Sequence, residues 1–259
     1  MPIEDAGVHL RNRRAWYRSR TLREVANAAR WVLLRRDSPD LSHLPAYDEI
    51  VLGPVQRDEA LLLYGLVRAI RPATVVEIGL AHGHNAYNLL RALDEDARLY
   101  SFDVDPICEQ VAQRRFADDP RFAFRLRSQD EVASADLDGR PADFVFLDGA
   151  HDLDMNRATF ERLLPLLSSH AIVAVHDTGT VSRRFMEDWR EEIQRTERWI
   201  GDDYEPQPAE RAFVNWVREA HPDFAQIHLH TDRVPRFGVT LLQRSGPLPR
   251  PPATGSASP

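Results

Sequence analysis

The chain contains no lysine: all 33 of its basic residues are arginines. A proton-accepting side chain must therefore be histidine, aspartate, glutamate or tyrosine. There is one cysteine, Cys108, which excludes an internal disulfide and any cysteine-cluster metal site within one chain. Its ordinary use is as a small core or helix residue. No stretch approaches the roughly 18 apolar residues needed to span a bilayer, and Met1 to Asp5 leads into no apolar signal-peptide core. A membrane is therefore not an expected partner, and a cytoplasmic location is expected. Internal repeats are also absent.

The chain has 259 residues, of which 43% are hydrophobic, enough to bury a full core in one α/β domain with appendages. The net charge of −7 argues against nucleic acid as the main partner, but the charge is uneven. Arg11 to Arg36 holds nine arginines and one acid, Glu24. Leu22, Val25, Ala29, Val32 and Leu33 recur there at helical spacing, giving an amphipathic helix with a basic outer face suited to packing or homodimer formation. We expect a basic helical extension over 1–45, a main domain over 46–244 with a helical insertion or lid at 179–224, and a disordered tail over 245–259, where apolar content is too low to pack.

From Pro72 onward strands and helices alternate. Strands are expected at Thr74 to Ile78, Arg98 to Phe102, Phe122 to Leu126, Phe144 to Leu147 and Ile172 to Val175. Helices are expected at Asn85 to Leu93, Pro106 to Phe116 and Asp154 to Leu167. That alternation implies right-handed βαβ crossovers and a mostly parallel, doubly wound sheet. After Asp177 two polar helices, Ser182 to Arg195 and Pro208 to Ala220, precede "AQIHLHT" and "FGVTLLQR". These two runs suit an antiparallel hairpin that closes the sheet at seven strands.

"FVFLDGAHDLD", Phe144 to Asp154, runs a buried strand straight into three acids and a histidine. Ligands of open α/β sheets bind beyond the carboxyl ends of such strands, which makes Asp148 and His151 candidates for chemistry. Asp148-Gly149 also reads as a turn, with Asp152 or Asp154 capping the next helix. "VVEIGLAHGHN" places Glu77, Gly79 and Gly83 at the first strand-to-helix turn, where a backbone without side chains lets a ligand approach and a helix amino terminus offers N–H groups. Ala81 takes the middle glycine position of G-x-G-x-x-G, so a phosphate-free ligand is favoured over a dinucleotide. Asp103 ends the second strand, where an acid can accept from both hydroxyls of a ribose. Ser128, Gln129 and Asp130 follow the third strand and suit the edge of a flat heterocycle, although loop polarity explains them equally well. Asp105-Pro106 reads as a helix start.

In order and spacing these motifs resemble the class I S-adenosylmethionine-dependent methyltransferases over about Gly53 to Thr178. The resemblance is closest to the catechol and caffeoyl-CoA type and to bacterial natural-product O-methyltransferases, and it implies a Rossmann-like fold. It further implies S-adenosylmethionine as cofactor, contacted by Glu77, Gly79, Ala81, Gly83, Asn85, Asp103, Ser128, Gln129 and Asp148. The expected reaction is methylation of a hydroxyl on a small acceptor such as a phenol, a sugar or a secondary metabolite. Asp148 and His151 would be catalytic, with His151 as base where the catechol-type enzymes carry lysine. A divalent metal, Mg²⁺ or Mn²⁺, would sit among Asp148, His176 and Asp177. His176 departs from the acid of that family and favours softer metals, or it serves as a non-metal catalytic or substrate-binding group. Methylation of nitrogen, hydroxylation or cyclisation on the same fold stays open. So does a non-catalytic cofactor-binding module docking through its arginine helix.

Overall fold

A computed structural model describes residues 55, 57–179, 208–229 and 238–245. All lie in the unit running from Leu44 to Pro259. The expected arginine-rich helix, the helix expected at Ser182 to Arg195, the rest of the expected insertion up to residue 207, with Trp199 and Tyr204, and the carboxyl-terminal tail from residue 246 fall outside the described residues.

Helix α1 (Arg57–Ile70) leads into an alternation of β1 (Thr74–Ile78), α2 (His84–Ala92), β2 (Arg98–Asp103), α3 (Ile107–Phe116), β3 (Phe122–Leu126), β4 (Ala142–Leu147), α4 (Leu153–Leu163) and β5 (Leu167–His176). Then come α5 (Pro208–Ala220), β6 (Phe224–Leu229) and β7 (Val239–Arg244). The seven strands form one sheet in the order β3-β2-β1-β4-β5-β7-β6. The first five are mutually parallel, and β7 runs antiparallel to both β5 and β6. This is the doubly wound sheet with a closing hairpin that the sequence pattern implies. Strands β4 and β5 begin earlier than expected, at Ala142 and Leu167. The end of the long fourth-helix pattern is a 3₁₀ turn at Leu164–Leu166, where Pro165 cannot donate to an α-helical ladder.

Strand order reverses between β1 and β4, and in open sheets a ligand crevice opens at that switch. The register brings the functional turns level: Ile78 pairs with both Phe102 and Leu147, and Leu147 pairs with Val175. The residues that follow these pairs, Gly79, Asp103, Asp148 and His176, therefore emerge along one edge. Every residue of β1 is buried, as expected for a strand covered on both faces. Val76, Ile78, Val145, Leu147, Val173 and Val175 pack against Phe160 of α4 and Phe213 of α5. α1 is tied to α2 on the other side, where Asn88 Nδ2 donates to the Ala60 carbonyl at 2.9 Å. Among the described residues no helix is long and apolar enough to cross a membrane.

Candidate active site at the carboxyl edge of the sheet

The turn after β1 is unusual in its backbone. Gly79, Ala81 and Gly83 all lie at positive φ, 94°, 44° and 71°, a region costly for residues with a Cβ. At Gly79 the reason is contact: a Cβ there would sit 2.1 Å from the Asp148 carbonyl oxygen. The turn after β1 and the acidic turn after β4 thus meet backbone to backbone at Gly79. Ala81 is held by hydrogen bonds instead. Asp103 Oδ2 accepts from the N–H groups of Leu80 and Ala81 at 3.0 and 3.1 Å, and Asp103 Oδ1 accepts from Asp105 N at 2.9 Å. A carboxylate has about four accepting positions, and Asp103 uses three of them to shape the turn.

Glu77 is completely buried under this turn. It accepts from Ser101 Oγ at 2.6 Å and from Asn85 Nδ2 at 3.0 Å. Burial outweighs those bonds and pushes its pKa up to about 8. Asn85 Oδ1 is buried with no hydrogen-bond partner. An acceptor orphaned among the described residues, beside a buried acid and a turn bounded by two glycines, fits the amino-acid end of a cofactor with ammonium donors. Gln129 differs from expectation. Its amide nitrogen donates to Asn156 Oδ1 and Thr159 Oγ1 at 3.1 and 2.7 Å, and its oxygen accepts from Ala150 N at 2.7 Å. Both donors already serve α4, so Gln129 sets the position of the 129–131 turn and has no N–H left for an adenine edge. Ser128 Oγ donates to Asp130 Oδ1 within the same turn.

The acids of "FVFLDGAHDLD" separate by role. Asp152 caps α4, accepting from Met155 N at 2.9 Å, and Asp154 is exposed. Asp148 and His151 turn instead toward the end of β5. There Asp177 sits at a φ of 58°. Successive side chains of a strand point to opposite faces, and the left-handed residue breaks that alternation, so His176 and Asp177 meet at 3.1 Å between Nδ1 and Oδ1. Oxygen or nitrogen atoms of Asp148, His151 and Asp177 all lie within 4.8 Å of one another. Asp177 Oδ1 is buried against the His176 ring. Two carboxylates and an imidazole within this short reach form a donor set that fits a divalent cation.

His176 is absent from that set because both of its nitrogens are engaged. Nδ1 lies 3.2 Å from Asp148 Oδ1 and Nε2 lies 3.2 Å from Glu59 Oε2. Burial alone would lower its pKa, but the Asp148 and Asp177 carboxylates raise it well above the usual histidine range. An imidazolium donating at both nitrogens has no lone pair for a metal. His151 is cationic for the same kind of reason. Burial lowers its pKa, while a 2.9 Å contact from Nδ1 to Glu210 Oε1 and the charges of Asp177 and Asp148 carry it up to about 10. Asp177 Oδ2 is 3.6 Å from the same nitrogen. Burial raises Asp148 and Glu210 above the usual carboxylate range. For Asp177 burial acts the same way, but His176 and His151 hold it below that range.

Glu59 and Glu210 were not found from the sequence, although each left a trace. Glu210 shares a helix face with Phe213, Val214 and Val217, and Glu59 shares one with Leu63 and Val67. All five apolar residues are fully buried. An acid on the apolar stripe of an amphipathic helix needs a buried partner.

A parallel five-stranded core with an antiparallel β7, a turn after β1 bounded by Gly79 and Gly83, an acid ending β2 and an acidic cluster after β4 and β5 together decide the fold family. The chain has the class I methyltransferase fold. Residues 76–178 match the family described as a methyltransferase domain. Solved structures agree across most of the chain. An O-methyltransferase from Bacillus cereus, in complex with S-adenosylhomocysteine, is 20% identical, with a TM-score of 0.57 over 84% of this chain and 97% of its own. The O-methyltransferase TomG from Streptomyces achromogenes, involved in tomaymycin synthesis and bound to S-adenosylmethionine, is 23% identical, with a TM-score of 0.55 over 79% and 86%. An uncharacterized protein of Sinorhizobium fredii is 29% identical over 126 residues. That stretch is 44% of this chain, and it spans only 14% of that relative's length. The two turns that touch at Gly79 and Asp148 both lie within the matched residues.

Proposed function

We propose that the protein transfers the methyl group of S-adenosylmethionine to a hydroxyl of a small-molecule acceptor, with His151 as general base. The observation that carries this reading is the setting of His151. Its Nδ1 is fixed by Glu210 and Asp177, beside the Asp148 backbone that touches the cofactor turn at Gly79. In the reaction the carbon–sulfur bond of the sulfonium breaks as a carbon–oxygen bond forms, and the hydroxyl proton passes to His151 Nε2. Holding Nδ1 from two sides sets the ring plane, and a fixed base is worth about 10²–10⁴ in rate. Glu77, Asn85, Asp103 and the turn between Gly79 and Gly83 would hold the cofactor.

A base must be neutral, and His151 in this setting holds its proton up to about pH 10. A divalent cation on Asp148 and Asp177 would supply the needed change, neutralising those carboxylates and lowering the pKa of both the acceptor hydroxyl and His151. The compactness of Asp148, His151 and Asp177 also supports a second reading, with His151 as third metal ligand and the acceptor deprotonated without it. The test is methyl transfer from isotopically labelled S-adenosylmethionine to a panel of phenolic, sugar and amine acceptors, with and without chelator, in wild type and His151→Gln. We expect labelled ether products, loss of about 10²-fold or more in His151→Gln, and loss on chelation. Activity indifferent to both perturbations would refute the base and the cation together. Cation affinity retained in His151→Gln with activity lost separates base from ligand.

A further inference from the structure

We propose that Glu59 is a positioning residue of this site: reaching in from α1, it fixes the His176 ring and, through that ring, the carboxylates of Asp148 and Asp177. The inference rests on the cation-assisted reading above. Three observations support it. Glu59 and His176 are each 4% exposed, so neither is placed there by solvent. The two oxygens of Glu59 are divided between functions: Oε2 lies 3.2 Å from His176 Nε2, and Oε1 accepts from Gly238 N at 2.7 Å. On the far side of the ring, Nδ1 meets Asp148 and Asp177 at 3.2 and 3.1 Å. An imidazole gripped at one nitrogen by a carboxylate that is itself anchored to Gly238, just ahead of β7, cannot rotate about χ2 without breaking the contact. Its other nitrogen therefore holds Asp148 and Asp177 in one mutual arrangement. Glu59 also lies outside residues 76–178, so this support comes from the helix ahead of the matched core.

The test compares wild type, Glu59→Gln and Glu59→Asp. Glutamine keeps the size and can keep the Gly238 bond but removes the charge facing His176. Aspartate keeps the charge at a shorter reach. Crystal structures report the His176 ring and the Asp148 carboxylate, and Mn²⁺ affinity by electron paramagnetic resonance reports the donor set. In Glu59→Gln we expect the ring turned away from Asp148 and Mn²⁺ affinity weakened about 10–100-fold. S-adenosylmethionine affinity should be unchanged, and Glu59→Asp should fall between. If Glu59→Gln does not fold, Glu59→Asp carries the same expectation at smaller amplitude. An unmoved ring with unchanged Mn²⁺ affinity overturns the proposal. A moved ring in a protein whose wild type binds no Mn²⁺ upholds the positioning role and overturns the cation-assisted reading instead.

Discussion

Replacing Glu77 by glutamine should stabilise the cofactor-free protein while weakening its hold on cofactor. Glu77 is fully buried, bonded among the described residues to Ser101 Oγ and Asn85 Nδ2 alone, and burial pushes its pKa up to about 8 from an ordinary 4.5. A carboxyl raised in the folded state adds its full stability below pH 4.5 and loses it progressively as pH rises to 8, because over that range the folded chain still holds a proton that the unfolded chain has released. At about 1.4 kcal/mol per pKa unit, the loss reaches roughly 4–5 kcal/mol above pH 8. Glutamine cannot ionise and keeps one oxygen as acceptor, so it escapes this loss. Urea titrations at pH 5, 7 and 8.5, followed by tryptophan fluorescence, should give matching stabilities at pH 5 and a variant more stable by a few kcal/mol at pH 8.5. In melting temperature the gap is on the order of 10 °C. Cofactor affinity should drop at least about tenfold, since glutamine cannot ionise in response to the ammonium of the amino-acid end. Parallel stability curves across pH would refute the burial of an ionising Glu77, and stronger cofactor binding would refute its placement.

Gly79→Ala should cost at least about 3 kcal/mol, since the new Cβ meets the Asp148 carbonyl oxygen at 2.1 Å on a backbone at φ 94°. Thermal denaturation would read it, and a neutral result would mean the two turns do not touch. Asp177→Asn removes a charge 3.6 Å from His151 Nδ1, so the His151 pKa, measured by NMR titration of the metal-free protein, should fall from about 10 toward the ordinary value. An unmoved titration would leave Glu210 and Asp148 as the partners that matter. Asp152→Ala loses the α4 cap to Met155 N and should cost about 1 kcal/mol in denaturation without changing cofactor affinity.

Much of this was legible in the sequence because it is local. The parallel core follows from short β-rich runs alternating with helical patterns, and β1 and β3 have the expected limits. Asp152 reads as a cap from its place ahead of the helix. The site was less legible, because its partners come from across the fold. His176 looks like a metal ligand in "IVAVHDTG", yet Glu59, 117 residues away, takes one of its nitrogens. Gln129 looks like a base-reading side chain until Asn156 and Thr159, 27 and 30 residues on, take its donors. Glu210 meets His151 across 59 residues. In each case the residue type and position were visible, and the partner that fixes its chemistry was supplied by tertiary packing.

The most direct measurement is the structure of the protein co-crystallised with S-adenosylhomocysteine, in competition with a nicotinamide dinucleotide. Density for S-adenosylhomocysteine is predicted along the Gly79 to Gly83 turn, with the ribose against Asp103, the amino-acid end toward Glu77 and Asn85, and the sulfur facing Asp148 and His151. A dinucleotide in that crevice, or S-adenosylhomocysteine bound elsewhere, would contradict methyl transfer at this site.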